Sequence, residues 1–167
     1  MKIEDYKKAL KFPLKDRTLC FLIDNNRILL GMKKRGFGQG KYVGIGGKVE
    51  ENERIEDAAI REVKEEIGVT LKDIERVASL NFYFPYVEKP EFWNQRVYVF
   101  ISKSWNDNIT ETEEILPQWF TVYKIPFETM WDDYNYWLLD MLNGKKLNAE
   151  FLFNREFKVE DWSITYH

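Results

Sequence analysis

No stretch restricts this chain as much as residues 47–69, which run from Gly47 through a charged segment to Gly68 and Val69. From Ile55 to Ile67 there is neither Gly nor Pro, and Gly68 supplies a stop, so the spacing predicts a helix over 55–67. Asn52 is the expected N-cap, with Glu53, Glu56 and Asp57 suited to the first turn. At about 100° per residue, Glu62, Glu65 and Glu66 fall within an arc of roughly 100°. Carboxylates at i, i+3 and i+4 repel one another and destabilise the helix that carries them. Something must offset that repulsion.

A solvated acidic face is the plain alternative. Against it, Ile55, Ala58 and Ala59 share the acidic arc, so the carboxylates lie beside core contacts. Arg54, Asp57, Arg61 and Lys64 already provide a solvated side and satisfy amphipathicity. Clustered carboxylates on a half-buried face suit a hard divalent cation such as Mg2+, which takes oxygen ligands. Just upstream, Gly44, Gly46 and Gly47 around Ile45 let the backbone turn tightly and bring carbonyls to that face. A glycine-rich loop leading into a metal-binding helix is an arrangement for phosphate chemistry.

Gly47, five residues, Glu53, seven residues, then Arg61-Glu62-Val63, Glu65-Glu66 and Gly68-Val69 fit the Nudix box without a mismatch. The chain therefore resembles the Nudix hydrolases, and the resemblance implies an enzyme that cleaves a nucleoside diphosphate linked to another group.

The 167 residues suffice for one domain with a substantial core. Twelve Phe, nine Tyr and six Trp suit a core with a base-stacking pocket. A net charge of −3 gives no footprint for long nucleic acid, so polyanionic substrates must be met by local Lys and Arg together with metal. Cys20 is the sole cysteine, which excludes an internal disulfide and a cysteine zinc cluster and fits the cytoplasm. His167 is the sole histidine, which leaves general-base work to a carboxylate. No apolar run approaches the ~20 residues a membrane span needs. Residues 1–17, with Glu4 and Asp5 and no apolar core, read as neither a signal nor a transit peptide.

In chain order, residues 1–17 read as an N-terminal extension with a short helix before Pro13, and residues 18–167 as a single domain. Thr18–Ile23 and Arg27–Met32 form a predicted hairpin across Asp24-Asn25-Asn26. Lys33 to Lys41 is a glycine-punctuated basic loop, read equally as a phosphate contact or a solvated loop, and Tyr42–Ile45 is extended. Strands are expected over 74–84, 95–102 and 118–124, with a polar loop over 105–114. A helix is expected over 126–143, then closing strands over 146–153 and 158–166. This order predicts an α+β protein. The Nudix resemblance implies the matching architecture, a mixed β-sheet sandwiched between α-helices (α/β/α).

From Thr18 onward the chain is similar to the MutT-related branch of mammalian 8-oxo-dGTP diphosphatases. The similarity is carried by Gly31-Met32-Lys33-Lys34-Arg35-Gly36-Phe37-Gly38, Ile125-Pro126-Phe127, Met130-Trp131 and Tyr136-Trp137. It implies Mg2+, with Mn2+ as a substitute, held by Glu62, Glu65, Glu66, Glu114 and the Gly46 carbonyl. Arg61 is implied to brace the loop against Glu53, and Glu62, Glu66 or Glu114 to act as base. It further implies a substrate pocket with Trp131 stacking on a purine, Phe37 and Phe82 as walls, and Lys33, Thr18, Gly46 and Gly47 as further contacts. Asp132 and Asp133 fall at or beside the acids that read the base edge.

Two positions depart from the branch: Val43 stands where an asparagine is usual, and Tyr134 replaces the second aspartate. The implied reaction is hydrolysis of an oxidised purine dNTP to dNMP and pyrophosphate, sanitising the nucleotide pool, by an expected monomer. The departures keep other substrates open: 5′-triphosphorylated RNA, dinucleoside polyphosphates or ordinary NTPs. A nucleotide-binding module without activity is a further alternative, opposed by the intact acids.

Overall fold

The structure, a computed structural model, describes residues 1–167. Its centre is a pair of strands, β1 (Lys15–Asp24) and β2 (Arg27–Lys33), turned at Asn25, which takes a left-handed φ of 56°. β1 starts at Lys15 rather than Thr18, because it runs parallel to β6 (Gln95–Ser102) from Lys15 opposite Gln95 to Leu22 opposite Ser102. The end of the presumed extension is thus sheet.

β5 (Glu75–Tyr83) lies antiparallel to β6, and β9 (Leu147–Phe153) lies parallel to β5. β10 (Val159–Tyr166) closes that edge. At the other edge β2 takes the two-residue β3 (Tyr42–Val43) and the longer β8 (Ile115–Thr121). The sheet is mixed, as expected. β4 (Thr70–Leu71) and β7 (Trp105–Asn106) make a separate ribbon, which puts a strand inside the stretch read as a polar loop.

Alternation along β1 sends neighbouring side chains to opposite faces. Cys20 and Leu22 pack with Ala59, Val63 and Ile67 of α2 (Ile55–Ile67), whereas Phe21 joins Trp137, Leu138 and Met141 of α3 (Tyr134–Leu142). The two helices therefore cover the two faces, with burial of each large apolar side chain contributing roughly 1.5–3 kcal/mol. A third helix, α1 (Ile3–Lys8), docks through Ile3 onto Tyr83 and Leu152.

Three local expectations are corrected. Asn52 does not cap α2: it sits at φ 63°, Arg54 holds the cap position, and no side chain caps the helix. β8 begins at Ile115, not Gln118, because pairing with β2 carries it through Pro117, which an edge strand tolerates. The helix expected from Pro126 is broken. A 3-10 turn at Phe127–Thr129 leads to an extended Met130, which is drawn into the core, and regular helix begins at Tyr134.

Candidate active site

The loop ahead of α2 is stitched to β1. The Thr18 amide donates to Gly47 O at 2.9 Å, and Cys20 and Ile45 exchange backbone bonds of 2.6 and 2.9 Å. A Cβ on Gly46 would collide with the Thr18 carbonyl, so the backbone passes there only as glycine. A Cβ on Gly47 would collide with the Glu62 carboxylate. Glycine thus lets the loop lie directly on an α2 acid.

Arg61 braces this contact. Its Nε and Nη2 donate to Glu53 at 2.8 and 3.0 Å, Nη2 also to Lys48 O at 2.9 Å, and Nη1 to Glu62 at 3.0 Å and Glu65 at 3.3 Å. Arg61 therefore folds over the acids instead of joining a solvated side, and only 25% of its side chain is exposed. The paired guanidinium, helped by the Glu50 amide, holds the Glu53 carboxyl down to about 2. Glu53 and Arg61 are the loop's structural clasp.

The remaining acids differ in state. Burial pushes Glu66 up to about 7, reinforced by the charges of Glu62 and Glu114 and opposed by Lys33 and the Gly46 amide. Burial also raises Glu62, against the pull of Arg61. Glu114 lies on the loop before β8, bonded by Arg35 Nε at 2.9 Å, and Arg35 lowers its pKa. Glu65 is 59% exposed. Gly46, Glu62, Glu65, Glu66 and Glu114 share one region, yet no three acidic side chains converge into a preformed metal centre. The expected ligand set is not assembled because arginines hold three of its members. The donors are nonetheless all oxygen, and a hard dication would offset both the burial and the neighbouring charges that raise Glu66. In donor chemistry the residues fit Mg2+.

A cavity of about 410 Å3 adjoins this helix. Thr18, Lys33, Gly46, Gly47 and Glu66 line it beside α2, and Phe37, Phe82 and Trp131 line its aromatic part. Phe37 lies 5.0 Å from Trp131 and 4.2 Å from Trp93, centroid to centroid. Lys41 Nζ sits 5.3 Å over the Trp131 ring. Val43, Asp133 and Tyr134 complete the wall. Asp133 is buried, accepts the Trp137 indole N–H at 2.8 Å, and is pushed by burial up to about 7. It is poised between donor and acceptor near neutrality. Tyr134 Oη accepts the Gly44 amide at 3.4 Å.

Asp132 is a correction: its carboxylate accepts the Val159 amide at 2.8 Å, and the residue does not line the cavity. Sequence reasoning also missed Arg17, Trp93, Gln95 and Phe153, all of which line it. Arg17 and Gln95 were detectable only through the β1–β6 register, which puts Lys15 opposite Gln95 and Arg17 opposite Val97. Trp93 sits in a loop with no local signal.

A braced acidic helix crossed by glycines, opening onto an aromatic cavity with a buried acid, defines a hydrolase site for a phosphorylated, ring-bearing small molecule. The NUDIX domain family model matches residues 13–141. The chain is 40% identical over 147 residues to the oxidized purine nucleoside triphosphate hydrolase of Mus musculus, covering 88% of this chain and 92% of that protein. It is 40% identical over 142 residues to the Danio rerio protein of the same name, covering 85% and 88%. Among solved structures, a MutT protein from Bacillus halodurans superposes with TM-score 0.76 at 21% identity, over 90% of this chain and 97% of that one, which speaks to the fold. The chain belongs to the Nudix family and is a Nudix hydrolase.

Proposed function

We propose that this chain hydrolyses oxidised purine dNTPs, of the 8-oxo-dGTP and 2-hydroxy-dATP type, to dNMP and pyrophosphate. The observation that carries the reading is a buried, near-neutral Asp133 in an aromatic cavity continuous with Glu66. Support comes from two relatives bearing that activity in their names, matched over most of their length. The Gly46 carbonyl, Glu62, Glu65, Glu66 and Glu114 would hold Mg2+, or Mn2+ in its place, which would supply charge neutralisation and a more acidic water.

The chain's own residues do the rest. Trp131 stacks on the purine, with Phe37 and Phe82 as walls. Asp133 bonds the base edge, giving or taking a hydrogen according to its protonation. A carboxylate takes the proton of the attacking water: Glu62 or Glu66, the latter free of an arginine partner, with Glu114 as the further candidate. Lys33 holds the charge that develops on pyrophosphate.

Val43, and Tyr134 in place of an aspartate, favour a second reading. Valine offers no hydrogen bond, and Tyr134 Oη, which accepts from Gly44, keeps only its own O–H to offer a base, so hydrogen-bonded discrimination rests on Asp133 and that hydroxyl. Ordinary NTPs, dinucleoside polyphosphates or 5′-triphosphorylated RNA then become the competing substrates. The deciding experiment is kcat/KM with Mg2+ for 8-oxo-dGTP, 2-hydroxy-dATP, dGTP, dATP and a triphosphorylated RNA oligonucleotide. At least about a tenfold preference for an oxidised dNTP supports sanitisation. Flat or RNA-favouring rates overturn it in favour of the second reading.

A further inference from the structure

The basic residues around the cavity mouth divide into two groups. Lys34 is taken by Glu111, Arg35 by Glu114 and Arg61 by Glu53. Lys33 and Arg17 line the cavity and enter no ion pair. Arg17 is the stranger of the two. It lies on β1 where the strand bridges to Lys48 of the glycine loop, it is half-buried, and it makes no side-chain hydrogen bond. Burial lowers its pKa, and Glu62 is the charge that opposes this, but Glu62 is itself bonded to Arg61. A cation withdrawn from water without a partner costs stability unless a ligand supplies the counter-charge.

A second observation on the same strand agrees. Thr18, only 2% exposed, also lines the cavity, and its Oγ1 is the one fully buried side-chain polar atom in the molecule with no hydrogen-bond partner. Thr18 thus leaves a buried hydroxyl unsatisfied, and Arg17 beside it a half-buried guanidinium without a protein partner, where the strand passes the Gly46–Gly47 loop. An oxygen-rich anion in the cavity supplies the partner that the Arg17 guanidinium lacks; the Thr18 hydroxyl, on the opposite face of the strand, is a separate unsatisfied group beside the same cavity.

We propose that Arg17 is a specificity-determining residue that takes non-bridging phosphate oxygens of the bound nucleotide, acting with Lys33 as a second cationic contact. The proposal rests on the nucleotide reading of the cavity but not on which base is preferred. The planar guanidinium suits two phosphate oxygens at once, which an ammonium does not. The Arg17 contribution should therefore follow the number of phosphates and be indifferent to the base.

The test is equilibrium binding by tryptophan fluorescence with Mg2+ present, using deoxyguanosine, dGMP, the α,β-imido analogue of dGTP and its 8-oxo counterpart. Arg17→Gln should weaken both triphosphate analogues equally, by about tenfold to a hundredfold, and shift deoxyguanosine by less than about twofold. Arg17→Lys should recover part of the loss, and thermal melts of both variants establish that they are folded. Should Arg17→Gln fail to fold, the same comparison is made on Arg17→Lys, for which a smaller loss confined to the phosphorylated ligands is expected. Unchanged triphosphate affinity, or an equal loss for deoxyguanosine, overturns the proposal; the second result would make Arg17 a base contact. The ratio of 8-oxo to ordinary analogue in the unmodified protein separately tests the oxidised-purine reading, so the two can fail independently.

Discussion

Asn94 links the N-terminal helix to the wall of the cavity, and its removal should be felt in both stability and binding. The residue is 4% exposed, its Oδ1 accepts the buried Phe84 amide at 2.7 Å, and its Nδ2 donates to Tyr6 Oη at 3.0 Å. Its own backbone bonds, to Lys15 N–H and from its amide to Pro90 O, survive substitution. In Asn94→Ala the stranded Phe84 amide costs about 1–3 kcal/mol, and the lost Tyr6 bond about 0.5–1.5 kcal/mol. The sum, roughly 1.5–4.5 kcal/mol, corresponds to a fall of about 3–18 °C in melting temperature for a domain of this size. Tyr6→Phe loses only the second bond and should fall by about 1–6 °C. The assay is a melting series on both single variants and the double variant, in which Tyr6→Phe should cost nothing once Asn94 is gone. Because Trp93 and Gln95 flank Asn94 and line the cavity, KM for the nucleotide should rise severalfold in Asn94→Ala with a smaller change in kcat. Equal melting temperatures for the two single variants, or strict additivity in the double variant, would refute the bridging role.

Further outcomes follow from the site. Glu66→Gln and Glu62→Gln should each lower kcat by about a hundredfold or more while leaving the melting temperature unchanged or raised; full activity in both would remove the acidic helix from the chemistry. Gly47→Ala meets the carboxylate end of the Glu62 side chain, so it should reduce turnover with a smaller loss of stability than a backbone collision brings. Gly46→Ala meets the Thr18 carbonyl and should cost about 3 kcal/mol or more, an ordering that paired melts and rates would check. Asp133 has a folded pKa of about 7 against an ordinary value near 3.9, so its contribution to stability is complete below about pH 4 and is lost as pH rises through 7. Asp133→Asn should therefore gain on the parent protein between pH 4 and pH 8, by on the order of 3–4 kcal/mol, and equal pH profiles for the two proteins would show that burial does not raise this carboxyl.

What was legible in the sequence divides along physical lines. The α2 helix was readable because its determinants are local: a 3.6-residue pattern, no breaker, and Gly68 at φ 79° where a left-handed residue ends the helix. The strand cores of β1, β2 and β6 were readable from period-two alternation. Their ends were not, since β1 is extended to Lys15 by β6 and β8 is pulled through Pro117 by β2. Helix α3 was overextended because helix propensity cannot register that Met130 must reach the core while Trp131 reaches the cavity. Arg61 was put on the solvated side because angular position alone ignores the reach of a long side chain, which folds back over the acids to Glu53.

The same division separates chemistry from specificity in the site. The residues assigned to bond cleavage lie mostly on one helix and the loop before it, so their relation is fixed by spacing along the chain. The residues that line the rest of the cavity come from β1, β3, β5, β6, β9 and the break before α3, brought together mainly by sheet register. Substitutions at Val43 or Tyr134 can therefore alter what enters the cavity without disturbing Glu62, Glu66 or the Glu53–Arg61 clasp, because no backbone turn or ion pair of the acidic helix depends on them. The Gly44 amide is the exception, since it bonds Tyr134 Oη two residues before Gly46. Tyr134 reaches this segment through its hydroxyl, which accepts the Gly44 amide, so a change at Tyr134 should alter kcat as well as KM, whereas the Val43 side chain makes no such bond and its replacement should act mainly on substrate choice.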